Sequence, residues 1–329
     1  MVDSREHSMK GRRCLVTGGA GFIGSHLVDA LVDSGASVRV LDDFSSGDPS
    51  NLEHHELNPS FEVLRGDAAD PEVAEEAVQG CDTIFHLAAM VSVPRSLREP
   101  AKCHAQCATS TVHLLSAADR ADVRRFVLAS TSAIYGDSPF VSKRESDPTA
   151  PLTPYAASKL SAESYLRSFA KTSRLETVAL RFFNVFGPRQ DPRSEYSAVI
   201  PRFVSMILSG ESPIIYGDGM QSRDFVFVRD VAQANLLAAN TPNISGRVFN
   251  VARGSSTTLL ELLSLLRELL DRDIVPIHEP ARLGDVRDSL ADINEIRTHL
   301  GFEPSTSIRD GLEESVAYYK RLCAVTPTT

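Results

Sequence analysis

At 329 residues the chain is too long for one small module and suits one large domain or two fused ones. Apolar residues make up 42% and charged residues 23%, near the globular average, which excludes bulk disorder. A net charge of −9 argues against a nucleic-acid-binding face, and the want of an apolar run of about 18 residues argues against a membrane-spanning helix. In chain order, a polar tail (1–10) precedes a short strand at 12–17 that stops at Gly18-Gly19. From Phe22 the apolar positions Ile23, Leu27, Ala30 and Leu31 recur at helical spacing until Gly35. Further strands are predicted at 38–41, 61–64, 83–87, 126–129 and 177–180. Helices are predicted after Pro71, over 102–121 and over 154–171. This alternation predicts a Rossmann-type doubly wound parallel α/β sheet over 11–180. Beyond Arg181 prolines and glycines cluster and the strands shorten. Helices at 199–209, 229–239, 258–270 and 309–321 suit a smaller C-terminal α/β substrate-binding lobe over 181–329. Its border is interleaved, with 224–240 able to pack on the first domain.

The tail lacks the apolar core of a secretory signal, and five scattered cysteines (Cys14, Cys81, Cys103, Cys107, Cys323) fit reduced thiols. Both features lead us to expect a cytoplasmic protein.

The run from Thr17 to Gly24 carries Gly18, Gly21 and Gly24 between a strand and a helix. Glycines there permit a tight turn, close approach of backbone to a pyrophosphate, and tight helix–strand packing. The amides of Phe22, Ile23 and Gly24 and the positive end of the helix dipole then point at phosphate. Asp42, eighteen residues after Gly24, ends the next strand, where a carboxylate accepts from both ribose hydroxyls of NAD and repels the 2′-phosphate of NADP. NAD is therefore the expected cofactor, with Asp43 beside Asp42. Asp67, with Ala68 next to it, lies at the end of the third strand within reach of an adenine amino group. Leu87, Ala88 and Ala89 leave room for the cofactor to cross.

Tyr155 and Lys159 stand at i and i+4 on one helix face. A lysine ammonium one turn away, together with a positive nicotinamide ring, favours the phenolate, so Tyr155 is expected to move a proton on a sugar or alcohol hydroxyl. Thr131 and Ser132, just past the fifth strand, supply hydroxyls at the same sheet edge. Cys103 and Cys107 flank His104 but lack further ligands at zinc spacing, so they are read as buried helix thiols and no metal site is expected.

On these residues the sequence resembles the extended short-chain dehydrogenase/reductase family, and within it the nucleotide-sugar 4-epimerases. The resemblance runs from Arg12 to Tyr319. It is carried by the glycine run, His86-Leu-Ala-Ala89, Ser130-Thr-Ser-Ala-Ile-Tyr-Gly136, Tyr155/Lys159, Arg181-Phe-Phe-Asn-Val-Phe-Gly-Pro188, Arg223-Asp224-Phe225 and Arg282-Leu-Gly-Asp285. The resemblance implies that Lys159 tunes Tyr155 and holds the nicotinamide ribose, that Thr131 bonds the reacting oxygen, and that Ser132 assists. It also implies that Asn184 contacts the diphosphate, that Arg223 and Arg282 bind phosphate, and that Asp285 binds ribose. Val199, Tyr216 and Ser289 complete the implied substrate set. A homodimer through a four-helix bundle of 100–121 and 154–171 is implied as well. The chain departs from the family at Cys107, which stands where an asparagine is usual.

Family dehydratases and decarboxylases place an acidic residue two positions before the Tyr-Gly pair, and here that position is Ala133. The expected activity is therefore 4-epimerisation of a UDP-sugar, UDP-glucose/UDP-galactose first. UDP-glucuronate epimerases carry an arginine where this chain has Asp191, although Arg189 lies nearby. Relatives that exclude N-acetylated sugars place a tyrosine four positions after the Arg-x-Gly-Asp aspartate. That position is Ser289, so UDP-GlcNAc/UDP-GalNAc is expected to fit too.

Overall fold

The computed structural model describes residues 8–192, 198–281 and 287–325. In chain order its elements are β1 (Arg13–Thr17), α1 (Phe22–Asp33), β2 (Ser37–Asp42), β3 (Phe61–Arg65), α2 (Pro71–Val78), β4 (Thr83–His86), α3 (Val93–Arg98), α4 (Pro100–His104), α5 (Ser110–Arg120) and β5 (Arg125–Thr131). A 3-10 turn (Ser132–Tyr135) and β6 (Ser142–Lys143) lead to α6 (Pro154–Thr172) and β7 (Glu176–Phe182). Then come β8 (Asn184–Phe186), α7 (Val199–Leu208), β9 (Ile214–Tyr216), β10 (Ser222–Arg223), β11 (Phe225–Phe227), α8 (Val228–Asn240) and β12 (Arg247–Val251). The last are β13 (Thr257–Thr258), α9 (Leu259–Leu270), β14 (Ile277–Glu279), β15 (Asp288–Ala291), α10 (Asn294–Leu300) and α11 (Ile308–Val325).

Side chains alternate across each strand, so the apolar runs of β1, β4 and β5 feed two cores. Val16, Phe85 and Val127 face α1 and α8, while Leu15, Ile84 and Leu128 face α2, α5 and α6. A sheet buried on both faces in this way is parallel throughout, as the pairing confirms. Among the described residues it has seven strands in the order β12-β7-β5-β4-β1-β2-β3. The order reverses between β1 and β4, which opens a crevice beyond their carboxyl ends. The outermost strand, β12, comes from beyond residue 181, and α8 packs on α1, so the chain returns to the first layer after starting the second. Pairing of β12 with β7 joins residues about seventy apart, and no local periodicity reports that.

The smaller lobe has its own core, built where α7, α9 and α11 meet on Phe203, Leu262, Leu266 and Leu312. Its strands form a four-stranded sheet in the order β13-β10-β15-β6 and the pairs β11–β8 and β14–β9. Helix α9 starts on a reciprocal capping box between Thr258 and Glu261.

Periodicity alone predicts one unbroken helix over 102–121. Instead the chain loosens into a π turn at Ala105–Thr109 between α4 and α5. The hydroxyls of Ser110 and Thr111 donate to the carbonyls of Gln106 (2.9 Å) and Cys107 (2.7 Å), four residues back. Such back-bonding competes with the regular ladder and accommodates the wider turn.

Candidate active site

The crevice is built first from backbone. Gly18 adopts φ +70°, and a Cβ there would lie 2.8 Å from the Ala88 nitrogen. At Gly24 a Cβ would come 2.1 Å from the Gly18 carbonyl oxygen, so α1 can approach β1 this closely only with glycine. Gly21 is the N-cap of α1 in extended conformation, without a side-chain cap and with no acid in the first turn. The amides of Phe22, Ile23 and Gly24, which no intrahelical carbonyl reaches, are thus left for a phosphate.

Asp42 ends β2 almost fully buried. Its carboxylate accepts from the Ala20 and Phe44 amides, each at 2.9 Å, and burial outweighs those bonds to raise its pKa. Gly47 keeps space beside it, since a Cβ there would lie 3.0 Å from both Asp42 oxygens. Asp43 accepts instead from the amide and hydroxyl of Ser45, at 2.9 and 2.7 Å. Asp67 is exposed and accepts from the Ala69 amide (2.9 Å), while Ala68 is buried in the core behind it. Leu87, Ala88 and Ala89 are partly open to the crevice, and Ala88 N–H donates to Thr17 Oγ1 at 3.2 Å. Fully buried His86 shares hydrogen bonds with Thr17 (2.7 Å) and Thr111 (3.1 Å), bracing this edge against α5. The donor set, the uncapped helix and the glycine clearances fit a dinucleotide.

Opposite this cradle, α6 begins with Thr153 as N-cap, its hydroxyl accepting from the Ala156 amide at 3.2 Å, and Pro154 in the first turn. Tyr155 follows at once, 8% exposed, beside the Thr131 side chain. Thr131 ends β5 and its Oγ1 also accepts from the Ala133 amide at 3.1 Å. Ser132 opens the adjoining 3-10 turn, and Ala133 packs on a buried cluster of Met90, Cys103, Cys107 and Tyr155. One turn along α6, the buried Lys159 ammonium donates to the Ala129 carbonyl at 2.9 Å.

Burial, reinforced by the nearby Cys107, pushes the Tyr155 hydroxyl above its ordinary pKa, and Thr131 only partly offsets this. Burial likewise lowers Lys159, against the opposing pull of Cys107, Cys103 and Glu163. The Lys159 ammonium thus bonds a backbone carbonyl one turn along from the phenol. Cys107 Sγ donates to the Met90 carbonyl at 3.9 Å, and the neighbouring thiols of Cys103 and Cys107 shift in opposite senses, Cys103 up and Cys107 down.

Sequence reasoning missed the scaffold behind these residues. Glu163, four residues after Lys159 and wholly buried, receives a two-pronged bond from Arg181 (Nε–Oε1 3.0 Å, Nη2–Oε2 2.8 Å) and a bond from Ser130 Oγ at 2.5 Å. Arg181 also donates to the Tyr135 hydroxyl (2.8 Å), which donates to Asn250 Oδ1 (2.7 Å). The brace ties β5, α6, β7 and β12 together directly behind Thr131 and Lys159. Its only sequence signal is a charged pair set in otherwise apolar faces.

On the smaller lobe, Asn184 opens β8 and pairs in register with Phe225 of β11. Val199 is the first residue of α7, and Tyr216 ends β9 with its carbonyl accepting from Gln221 at 2.7 Å. Arg223 donates to the carbonyls of Ser222 (2.8 Å) and Arg287 (3.1 Å). Ser289 stands beside Arg223 across the β10–β15 pair, half-buried. Arg282 and Asp285 lie outside the described residues. Asp224 does not pair with Arg223. It is fully buried and accepts from the amides of Arg253 (2.8 Å), Gly254 (3.0 Å) and Ala291 (3.2 Å), with burial pushing its pKa up to about 6. Arg189 turns away to Asp29 on α1, at 2.8 Å.

The sequence matches the model of the NAD dependent epimerase/dehydratase family over residues 14–252. It is 37% identical over 310 residues to a UDP-glucose 4-epimerase of Mycolicibacterium smegmatis, covering 94% of this chain and 98% of that one. The fold superposes with a TM-score of 0.91 on a UDP-N-acetylglucosamine 4-epimerase from Methanobrevibacter ruminantium solved with UDP-N-acetylmuramic acid. That pair shares 41% identity, over 95% of this chain and 100% of the other. The UDP-glucose 4-epimerase of Thermotoga maritima, solved with UDP-glucose, gives a TM-score of 0.89 at 39% identity, over 94% and 99% of the two chains. With its glycine cradle, Asp42 and the Tyr155/Lys159 pair on one crevice, the chain belongs to the NAD-dependent epimerase/dehydratase family.

Proposed function

We infer that the chain is an NAD-dependent 4-epimerase acting on a UDP-sugar, UDP-glucose/UDP-galactose first and UDP-GlcNAc/UDP-GalNAc second. The observation that carries this reading is the placing of buried Tyr155 at the start of α6 beside Thr131 at the end of β5, with Lys159 buried one turn behind. Gly18, Gly21, Gly24 and the first-turn amides of α1 hold the pyrophosphate, Asp42 the adenosine ribose, and Lys159 the nicotinamide ribose. NAD, when bound, supplies the acceptor and then the donor for the hydride at C4. Tyr155 takes the 4-hydroxyl proton and returns it to the same oxygen, while Thr131 keeps that oxygen in place. Because burial raises Tyr155, its ionisation depends on positive charge brought into the crevice, so proton removal is confined to the loaded site. Residues up to about 180 serve the cofactor and the rest the nucleotide sugar, through Asn184, Val199, Tyr216, Arg223, Arg282, Asp285 and Ser289.

Elimination or decarboxylation needs an acid or base near C5, and Ala133 offers none. UDP-glucuronate ranks third, because Arg189 is engaged by Asp29 and Asp191 repels a carboxylate. Among the described residues no helix is long and apolar enough to cross a membrane, and we place the protein in the cytoplasm. Exposed Tyr165 on α6 supports a homodimer through helices 100–121 and 154–171; sedimentation as a stable monomer would refute it. The activity is tested by incubation with UDP-glucose, UDP-GlcNAc and UDP-glucuronate and quantification of the C4 epimers. Epimers of the first two are expected, whereas a 4-keto-6-deoxy sugar or released CO₂ would overturn the reading.

A further inference from the structure

We propose that Asp29, His54 and His55 form a binding site for a divalent transition ion of the zinc type, separate from the reaction centre. Asp29 lies on α1, about two turns from the glycine cradle. His54 and His55 lie on a short 3-10 turn in the segment that follows Asp42. The Nε2 atoms of both imidazoles sit 2.8 Å from the same oxygen, Asp29 Oδ1. One atom from each residue lies within 4.8 Å of the others. Two imidazoles and one carboxylate are a donor set that zinc accepts, with water as fourth ligand. Tetrahedral bonds of about 2.0–2.2 Å put neighbouring donors about 3.3 Å apart. Each imidazole nitrogen would move about half an ångström from Asp29 Oδ1, and the two nitrogens, within 4.8 Å of one another, would settle at the same spacing.

The site is also held ready. The His55 ring is nearly buried and rests on Phe61, with centroids 5.3 Å apart. Arg189 takes the far oxygen of Asp29 at 2.8 Å, which orients the carboxylate and leaves Oδ1 toward the imidazoles. Its positive charge also lowers affinity below that of an unpaired carboxylate. His54 is half-exposed and provides access and room for water. The neighbouring segment is already tied to the cradle, with Asn51 Nδ2 and the Asp48 amide donating to the Ala20 carbonyl at 2.9 and 3.1 Å. A bound ion would add a second clamp between α1 and the loop that carries Gly47.

The test uses the full chain without a polyhistidine tag, titrated with Zn²⁺ against a chromophoric chelator, and separately with Co²⁺. One Zn²⁺ per chain is expected, with Co²⁺ visible bands that lack a thiolate charge-transfer band. Loss of an outer partner alone typically costs about 10–100-fold in metal affinity, so His54→Gln and His55→Gln should each weaken Zn²⁺ at least about tenfold. His54→Gln guards against misfolding because its position is half-exposed, and Zn²⁺ should raise the Tm of the parent but not of this variant. Three results would overturn the proposal: no saturable binding at micromolar Zn²⁺, full binding in both variants, or a thiolate band assigning the ion to the cysteines.

Discussion

In the parallel-sheet layer the fully buried imidazole of His86 is held between two threonine hydroxyls, and burial, then the Lys159 charge, lowers its pKa to about 3. In the smaller lobe the equally buried carboxylate of Asp224 is held by three amides, and burial raises its pKa to about 6. Both sites exclude water, yet they answer acid in opposite senses. Below its ordinary pKa of 6.5 a histidine in the unfolded chain takes a proton that folded His86 refuses, so stability falls as pH drops toward 3. Between 3.8 and about 6 folded Asp224 keeps a proton that the unfolded chain has lost, so its contribution falls as pH rises through that window. The cofactor layer is thus the acid-sensitive region, and the substrate lobe partly offsets it.

The sharpest way to separate the regions is chemical. Tyr155→Phe should lower kcat about a hundred- to ten-thousand-fold while UDP titration on the other lobe stays unchanged; steady-state kinetics with calorimetry checks both. Glu163→Ala leaves Arg181 buried without its partner and should cost about 3–5 kcal/mol in urea unfolding. The double change Glu163→Leu with Arg181→Met should recover much of that, since an apolar pair of similar volume is tolerated.

Acid titration of stability comes next. His86 should account for a loss of about 3 kcal/mol by about pH 4.5, flattened in His86→Gln. Asp224→Asn removes the opposing contribution, up to about 3 kcal/mol, and should make the parent's acid loss steeper between about pH 6 and 4. Equal slopes in the parent and Asp224→Asn would erase the contrast. The smallest effect is steric: Ser289→Tyr should disfavour acetamido sugars by about 1–3 kcal/mol while sparing the glucose pair. Equal loss on both pairs would show that Ser289 does not line that wall.

What was legible in the sequence was local. Three glycines, an aspartate at the next strand end and a Tyr/Lys pair one turn apart each sit within one supersecondary unit, where spacing fixes geometry. Glu163, Arg181, Asn250 and Asp224 are joined across distant segments, and a single sequence does not show which buried charge meets which partner. The strand β12 escaped for the same reason. The shared face of Tyr155 and Lys159 was legible because i and i+4 fixes it, whereas the 2.9 Å bond from Lys159 to the Ala129 carbonyl was not, because it joins α6 to β5.

The π turn at Ala105–Thr109 has a consequence for descent. Such a turn holds one residue more than a regular one, and each helical residue rotates the chain by about 100°. Because the extra residue is absorbed within a single turn, a one-residue deletion there would let the helix close into a regular α form while α4 and α5 keep nearly the same facing. Cys103 would stay in the cluster beneath Tyr155, and α4 would still pack on α6. Lineages of this protein should therefore tolerate the loss of one residue within 105–109 more readily than elsewhere along α4 and α5.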